Sequence, residues 1–213
     1  MIRNGWRLKP IHKLIMTSAA YAESSARDER KEAKDRDNHL FWRRPVLRLE
    51  AEAVRDSLLA VGGMLDTTMY GPGTLDEASR RRSIYFTVKR SKLIPMLQVF
   101  DAPEALVSLG ERPATTIAPQ ALLLMNNAHV RSWAQGFARR IAPVESTPIE
   151  DAVAAGYRIA LTREPTRQEL ADSTAFLKAQ SAAYTAERSK DAREQALADF
   201  CQVLMCVNEF IYY

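Results

Sequence analysis

Apolar positions along this chain recur mostly every three or four residues, the period of an amphipathic helix rather than the alternation of a strand. Leu47, Ala51, Val54, Leu58, Val61 and Leu65 step along one face in this way. Gly62-Gly63 then supplies the left-handed conformation that ends helices, so the pattern predicts a helix stopping near Val61. A shorter helix is predicted earlier, from Pro10 to Tyr21, where Ile11, Leu14, Ile15 and Ser18 keep helical spacing behind a proline at the start. Between the two, Ala22 to Asn38 is almost wholly polar and mixes both charge signs, the composition of an exposed loop or frayed helix.

After Gly63 the period changes. Gly71-Pro72-Gly73 marks a loop. Ser83 to Val88 is a β-branched and aromatic run, the best strand candidate in the chain, either an extended segment pinned against helices or half of a small hairpin. Pro95, Pro103 and Pro113 punctuate an irregular stretch with one helical turn predicted around Met96 to Phe100. Past Thr116 the pattern is helical almost to the end. Gln120 to Met125 is apolar, Asn126-Asn127 marks a break, and Val130, Trp133, Phe137 and Ile141 resume the spacing. Thr147-Pro148-Ile149-Glu150 and Thr166-Arg167-Gln168-Glu169 both read as capping boxes, opening helices that run to about Leu161 and Ala186. A last helix opens near Asp191 and buries Leu197, Phe200, Cys201 and Leu204. Short connections make successive helices antiparallel neighbours. The expected fold is therefore mostly α: a helical domain with a short β strand or hairpin and a C-terminal antiparallel helical bundle. It is read as a single domain, with a helix-loop-helix-strand half over 1–115 and a bundle half over 116–213.

With 213 residues, 46% of them hydrophobic, the chain can bury a core without staples. Its 30 basic and 26 acidic residues leave a charge of only +4, which argues against a large phosphate contact area and so against a dedicated nucleic-acid binder. No stretch approaches the roughly 20 apolar residues of a membrane span. The first residues lack the apolar region of a signal peptide, so the chain as given is expected to be cytoplasmic when expressed alone. Cys201 and Cys206 are five apart on a predicted helix, about 140° around its axis, a poor geometry for a disulfide.

Candidate chemistry is sparse. His12, His39 and His129 are isolated from the partners a metal pair needs, so no metal is expected. No phosphate-binding loop, dinucleotide glycine pattern, nucleophile elbow or haem-attachment motif occurs. The carboxylates Glu50, Glu52 and Asp56 share the predicted helix with Arg48 and Arg55, an arrangement usually solvated. Arg80, Arg81, Arg82, Lys89, Arg90 and Lys92 bracket Tyr85 and Phe86, a mixture that can track single-stranded nucleic acid, protect an edge strand, or fork onto the helix carboxylates. The favoured reading is the last, with the arginine-flanked extended piece lying across the acidic flank of the helix. The candidate polar cluster is His12, Arg43, Arg48, Glu50, Glu52, Arg55, Asp56, Arg81, Arg82, Tyr85 and Arg90, with catalytic roles unassigned. An enzyme or a carbohydrate- or anion-binding domain built on that cluster is the alternative to a non-catalytic interaction domain.

Several phrases carry a resemblance. Asn4-Gly5-Trp6, Lys9 to Tyr21, Asp37-Asn38, Phe41-Trp42-Arg43-Arg44, Arg48 to Ala60, Arg81 to Tyr85, Phe100 to Pro103, Thr115-Thr116 with Pro119 to Leu122, and Asn208-Glu209-Phe210 occur in this order. In combination they resemble the C-terminal planctomycete-specific domain of unknown function. The resemblance implies a place at the end of large exported bacterial proteins that also carry a partner planctomycete-specific domain and cytochrome c-like modules, and the wealth of packing signals beside so few catalytic ones makes an accessory or interaction role the expectation. It implies an upstream partner domain or a separate subunit as the binding partner, no cofactor in this chain, and haem only in upstream modules. It implies a periplasmic or cell-surface address for full-length relatives. It brings no catalytic residues to carry over. The chain is expected to be either the C-terminal portion of such a protein or a truncated relative, starting inside the domain.

Overall fold

Helix is the dominant element among residues 1–104 and 108–213, which the computed structural model describes: ten α-helices and no sheet. The mostly helical class expected from the periodicity therefore holds. The chain divides into two units, Met1–Leu47 and Arg48–Tyr213.

The first unit holds α1 (Lys9–Met16) and α2 (Glu29–Glu32). α1 ends five residues before the predicted Tyr21, because the Thr17 and Ser18 hydroxyls donate back to the Lys13 and Ile15 carbonyls at 2.8 and 2.7 Å and close the last turn. α2 is a single turn within the polar stretch, capped by the Asp28 carboxylate, which accepts from the Arg30 and Lys31 N–H groups. Polar bonds hold the remainder. The Asp35 carboxylate accepts from His39 N and Leu40 N, and the Trp42 indole donates to Asp35 O at 2.7 Å. The backbone N–H groups of Leu40, first, and of His39 hold the Asp35 carboxyl below its ordinary pKa. No residue of this unit is fully buried.

The second unit contains α3 (Ala51–Val61), α4 (Pro95–Val99), α5 (Ala118–Asn126), α6 (Ala128–Ile141), α7 (Ile149–Leu161), α8 (Arg167–Ala186), α9 (Ala192–Cys206) and α10 (Asn208–Ile211). α3 stops at Val61 as the glycine pair predicts, and it buries Ala51, Val54, Leu58 and Val61. It starts at Ala51, however, leaving Leu47 half exposed and outside the helix. Gly62 does a second job beyond ending the helix. A Cβ on Gly136 of α6 would lie 2.6 Å from the Gly62 carbonyl, so the two backbones approach where only glycine fits.

The bundle forms around α9, which packs against α6, α7 and α8. Arg131 meets Asp199 at 2.6 Å while Arg139 meets Glu194 at 3.2 Å, so numbering rises along α6 as it falls along α9 and the two run antiparallel. Val130, Trp133, Phe137 and Ile141 face Leu197, Phe200, Cys201 and Leu204 in one buried cluster. Asn127 opens α6 by accepting from His129 N and Val130 N. The Thr166–Glu169 capping box forms in both directions, at 2.7 and 3.2 Å. The Thr147–Glu150 box does not form. Thr147 instead donates its hydroxyl to Val144 O, and α7 begins behind Pro148 without a side-chain cap.

The extended run from Ser83 to Val88 is also realised differently. Ser83–Tyr85 is a 3₁₀ turn, and its flanks pair only as isolated parallel bridges, Asp66 with Arg81 and Thr74 with Phe86. Two local features stop a ladder from growing. The partner loop curves away through Tyr70 and Gly71, both at positive φ, and the Ser83 N–H is taken by the Asp56 carboxylate at 2.7 Å.

Candidate functional site

Glu50, the N-cap of α3, and Glu52 and Asp56 within the helix bring three carboxylates to one groove. The segment from Arg82 to Pro103 turns back along α3, and between them lies this groove, of about 640 Å³. Its floor is apolar: Ala53 of α3, Phe86, Ile94 and Leu97. Its rim is charged: Glu50, Glu52 and Asp56 on the helix side, Arg82, Lys89 and Lys92 on the other, with Glu104 and Arg112 completing it among the described residues.

The helix carboxylates are already engaged. Arg112 donates one Nη1 to Glu50 at 3.1 Å and to Glu52 at 2.8 Å. Asp56 Oδ1 accepts both the Ser83 N–H and the Ser83 hydroxyl at 2.7 Å, and its other oxygen stands 3.7 Å from Arg82. The expected bridge between the arginine-flanked segment and the helix thus exists at Asp56 alone. Glu50 and Glu52 are taken by Arg112, which lies far along the chain and has no periodic relation to α3 that a sequence pattern could reveal.

Arg55, whose Nη1 stands 3.8 Å from Asp56 Oδ1, is turned into the protein interior. Its side chain is buried within the core, where it donates to Arg81 O at 3.1 Å, to Ser83 Oγ at 3.2 Å and to Ser79 O. It lies 4.6 Å from the Phe86 ring centroid and 5.9 Å from that of Trp133. Burial pushes its pKa down, with Asp56 opposing, yet an arginine stays charged in such a site. A helical wheel contains the signal: Ala51, Leu58 and Leu59 lie one turn away on the same face, so position 55 belongs to the core rather than to a solvated stripe.

Arg81 clamps the loop ahead of it, donating to Pro72 O and Tyr70 O and stacking 3.7 Å from the Tyr85 ring centroid. Tyr85 in turn accepts the Tyr70 N–H at 2.8 Å. Arg48 pairs with Asp101 at 2.6 Å, both largely buried, while the Thr115 N–H and hydroxyl donate to the same carboxylate. Arg90 is exposed and does not line the groove. His12 and Arg43 belong to the first unit, where His12 is exposed and Arg43 lies 5.3 Å from the Trp42 ring centroid, with its backbone bonded to Asn38. Of the expected cluster, then, Glu50, Glu52, Asp56 and Arg82 share the groove, whereas Arg48, Arg55, Arg81 and Tyr85 are structural pins. Lys89, Lys92 and Arg112 complete the groove in their place.

The two cysteines are free, Cys201 buried and Cys206 half-buried, and burial raises both thiols, Cys206 to about 11. Such thiols are weak nucleophiles at neutral pH. No group of His, Cys, Asp and Glu placed to hold a metal ion occurs among the described residues. No helix among them is long and apolar enough to cross a membrane.

Fold and groove together define a helical domain whose polar residues mostly brace its own loops. The chain belongs to the family described as PSD1, protein of unknown function (DUF1553), which it matches over residues 1–177. That match takes in the whole first unit and the groove and ends inside α8. No curated protein and no solved structure matches the chain.

Proposed function

We propose that this chain is an accessory interaction domain, the C-terminal part of an exported, cytochrome c-associated multidomain bacterial protein, and that residues 1–47 form its docking surface. One observation carries the reading. In the first unit nothing is fully buried, while Ile2, Trp6, Leu14, Leu40 and Phe41 are each 69–80% exposed. Apolar side chains displayed at that density mark a surface that another protein covers. The resemblance supplies the partner's class, an upstream planctomycete-specific domain or a separate subunit carrying one. Haem belongs, on this reading, to other modules of the same assembly.

Co-expression of the chain with a planctomycete-specific partner domain, followed by size-exclusion chromatography with light scattering, tests the reading. The expected result is a stoichiometric complex that the double variant Leu14→Ser, Ile15→Ser abolishes. Two separate species, or a complex indifferent to those substitutions, would contradict it.

A further inference from the structure

The groove beside α3 contains charged groups that the fold does not use. On the helix side Glu50 and Glu52 are bound by Arg112, and Asp56 is spent on Ser83 and Arg82. Opposite them, Lys89 and Lys92 line the groove, and neither they nor Glu104 of the same rim have an ion-pair partner among the described residues, which leaves two cations and one carboxylate unengaged. They are held together by the backbone itself. Lys92 N donates to Lys89 O at 3.1 Å, and the two residues form an antiparallel bridge. Bridge partners project to the same side, so the two lysine side chains leave the turn on one face, where like charges repel unless an anion meets them.

The apolar part of the groove is equally unsatisfied. Ile84 and Val88 line it yet are 71% and 78% exposed, above a floor of Phe86 and Leu97. A space of 640 Å³ with an apolar floor and a few convergent charges has the size and character of a small-molecule site. We infer that the groove binds a small amphipathic carboxylate, its anionic head held by Lys89 and Lys92 and its apolar body lying over Phe86 and Leu97 beneath Ile84 and Val88. The helix carboxylates set the orientation, since Glu50 and Glu52 repel a second anionic group at the far wall. Recognition is non-covalent and independent of the docking surface on residues 1–47.

Octanoate is a suitable probe, titrated into the full chain at low ionic strength by isothermal calorimetry, with octanol as the uncharged control. The expected result is saturable octanoate binding, weaker binding of octanol, and about a tenfold loss of octanoate affinity in the double variant Lys89→Ala, Lys92→Ala. Both lysines are exposed, so the variant retains its fold, which its unchanged circular dichroism melt verifies. Absence of octanoate binding at millimolar concentration, equal binding of octanol, or affinity unaffected by the two substitutions would each overturn the inference.

Discussion

The two units of this chain solve the problem of order in opposite ways. The second unit spends its hydrophobic residues inward: Leu58, Val130, Phe137, Val153 and Met205 are all removed from solvent. The first spends them outward and is organised by polar contacts, through Asp28, Asp35 and Asn38 and the Arg43–Trp42 stack. Intramolecular hydrogen bonds contribute only about 1 kcal/mol each because water competes for the same groups. Burial of a large apolar side chain contributes about 1.5–3 kcal/mol. The lesson is that amphipathic patterning predicts a helix equally well in both units but does not say whether the apolar face finds a partner within the chain.

The largest effect expected from breaking this contrast is in the core of the second unit. Phe137 has no exposed surface and sits where α6 meets α9, so Phe137→Ala should cost about 4 kcal/mol in urea unfolding followed by circular dichroism. Arg55→Ala should cost about 3 kcal/mol, because it strands the carbonyls of Ser79 and Arg81 and removes the packing against Phe86. A cost near zero would mean that the loop before Ser83 is not anchored to α3.

A smaller effect is expected at the junction of α7, α8 and α10. Arg163 forks onto Glu169 at 2.7 and 2.9 Å and onto Glu209 at 2.7 and 2.8 Å. Its hydrogen bonds, followed by that from Thr166 N, lower the Glu169 carboxyl from 4.5 to about 2. A depressed carboxyl pKa gives stability that is complete above the unfolded value and is lost as pH falls from about 4.5 toward 2. Both partners are about one-third exposed, so the contribution is about 1 kcal/mol or less. Arg163→Ala should flatten the acid limb of the stability profile between those pH values and leave neutral-pH stability within about 1 kcal/mol. An unaltered acid limb would remove the network from the account.

The smallest effect sharpens the comparison from the other side. Leu14→Ser with Ile15→Ser removes two large hydrophobic side chains, yet both are at least half exposed, so unfolding free energy should change by less than about 0.5 kcal/mol. A loss of several kcal/mol would show that the first unit possesses a core after all.

Much of the second unit was legible in its sequence because its signals are local. Gly62-Gly63, Asn127, Thr166 with Glu169, and the end at Ala186 act within one turn of where they stand. Thr147 misled because Pro148 follows it and its hydroxyl finds Val144 O first. The run from Ser83 to Val88 has strand composition, but strand formation needs a partner, and the loop opposite curves away after one bridge. In the groove, Asp56 and Arg82 were readable as a helix-to-segment pair, whereas Arg112 bridges to Glu50 and Glu52 over some sixty positions. Arg55 was hidden by treating an arginine as a surface residue, although its helical neighbours Ala51, Leu58 and Leu59 place it in the core.

Hydrogen–deuterium exchange of the full chain, read by mass spectrometry on peptides from each unit, tests the contrast most directly. Amides of α6 and α9 should be protected up to the global unfolding free energy, while those of residues 1–47 exchange within seconds at neutral pH and gain protection only when a partner is bound. Protection of α1 equal to that of α6 in the isolated chain would contradict the account.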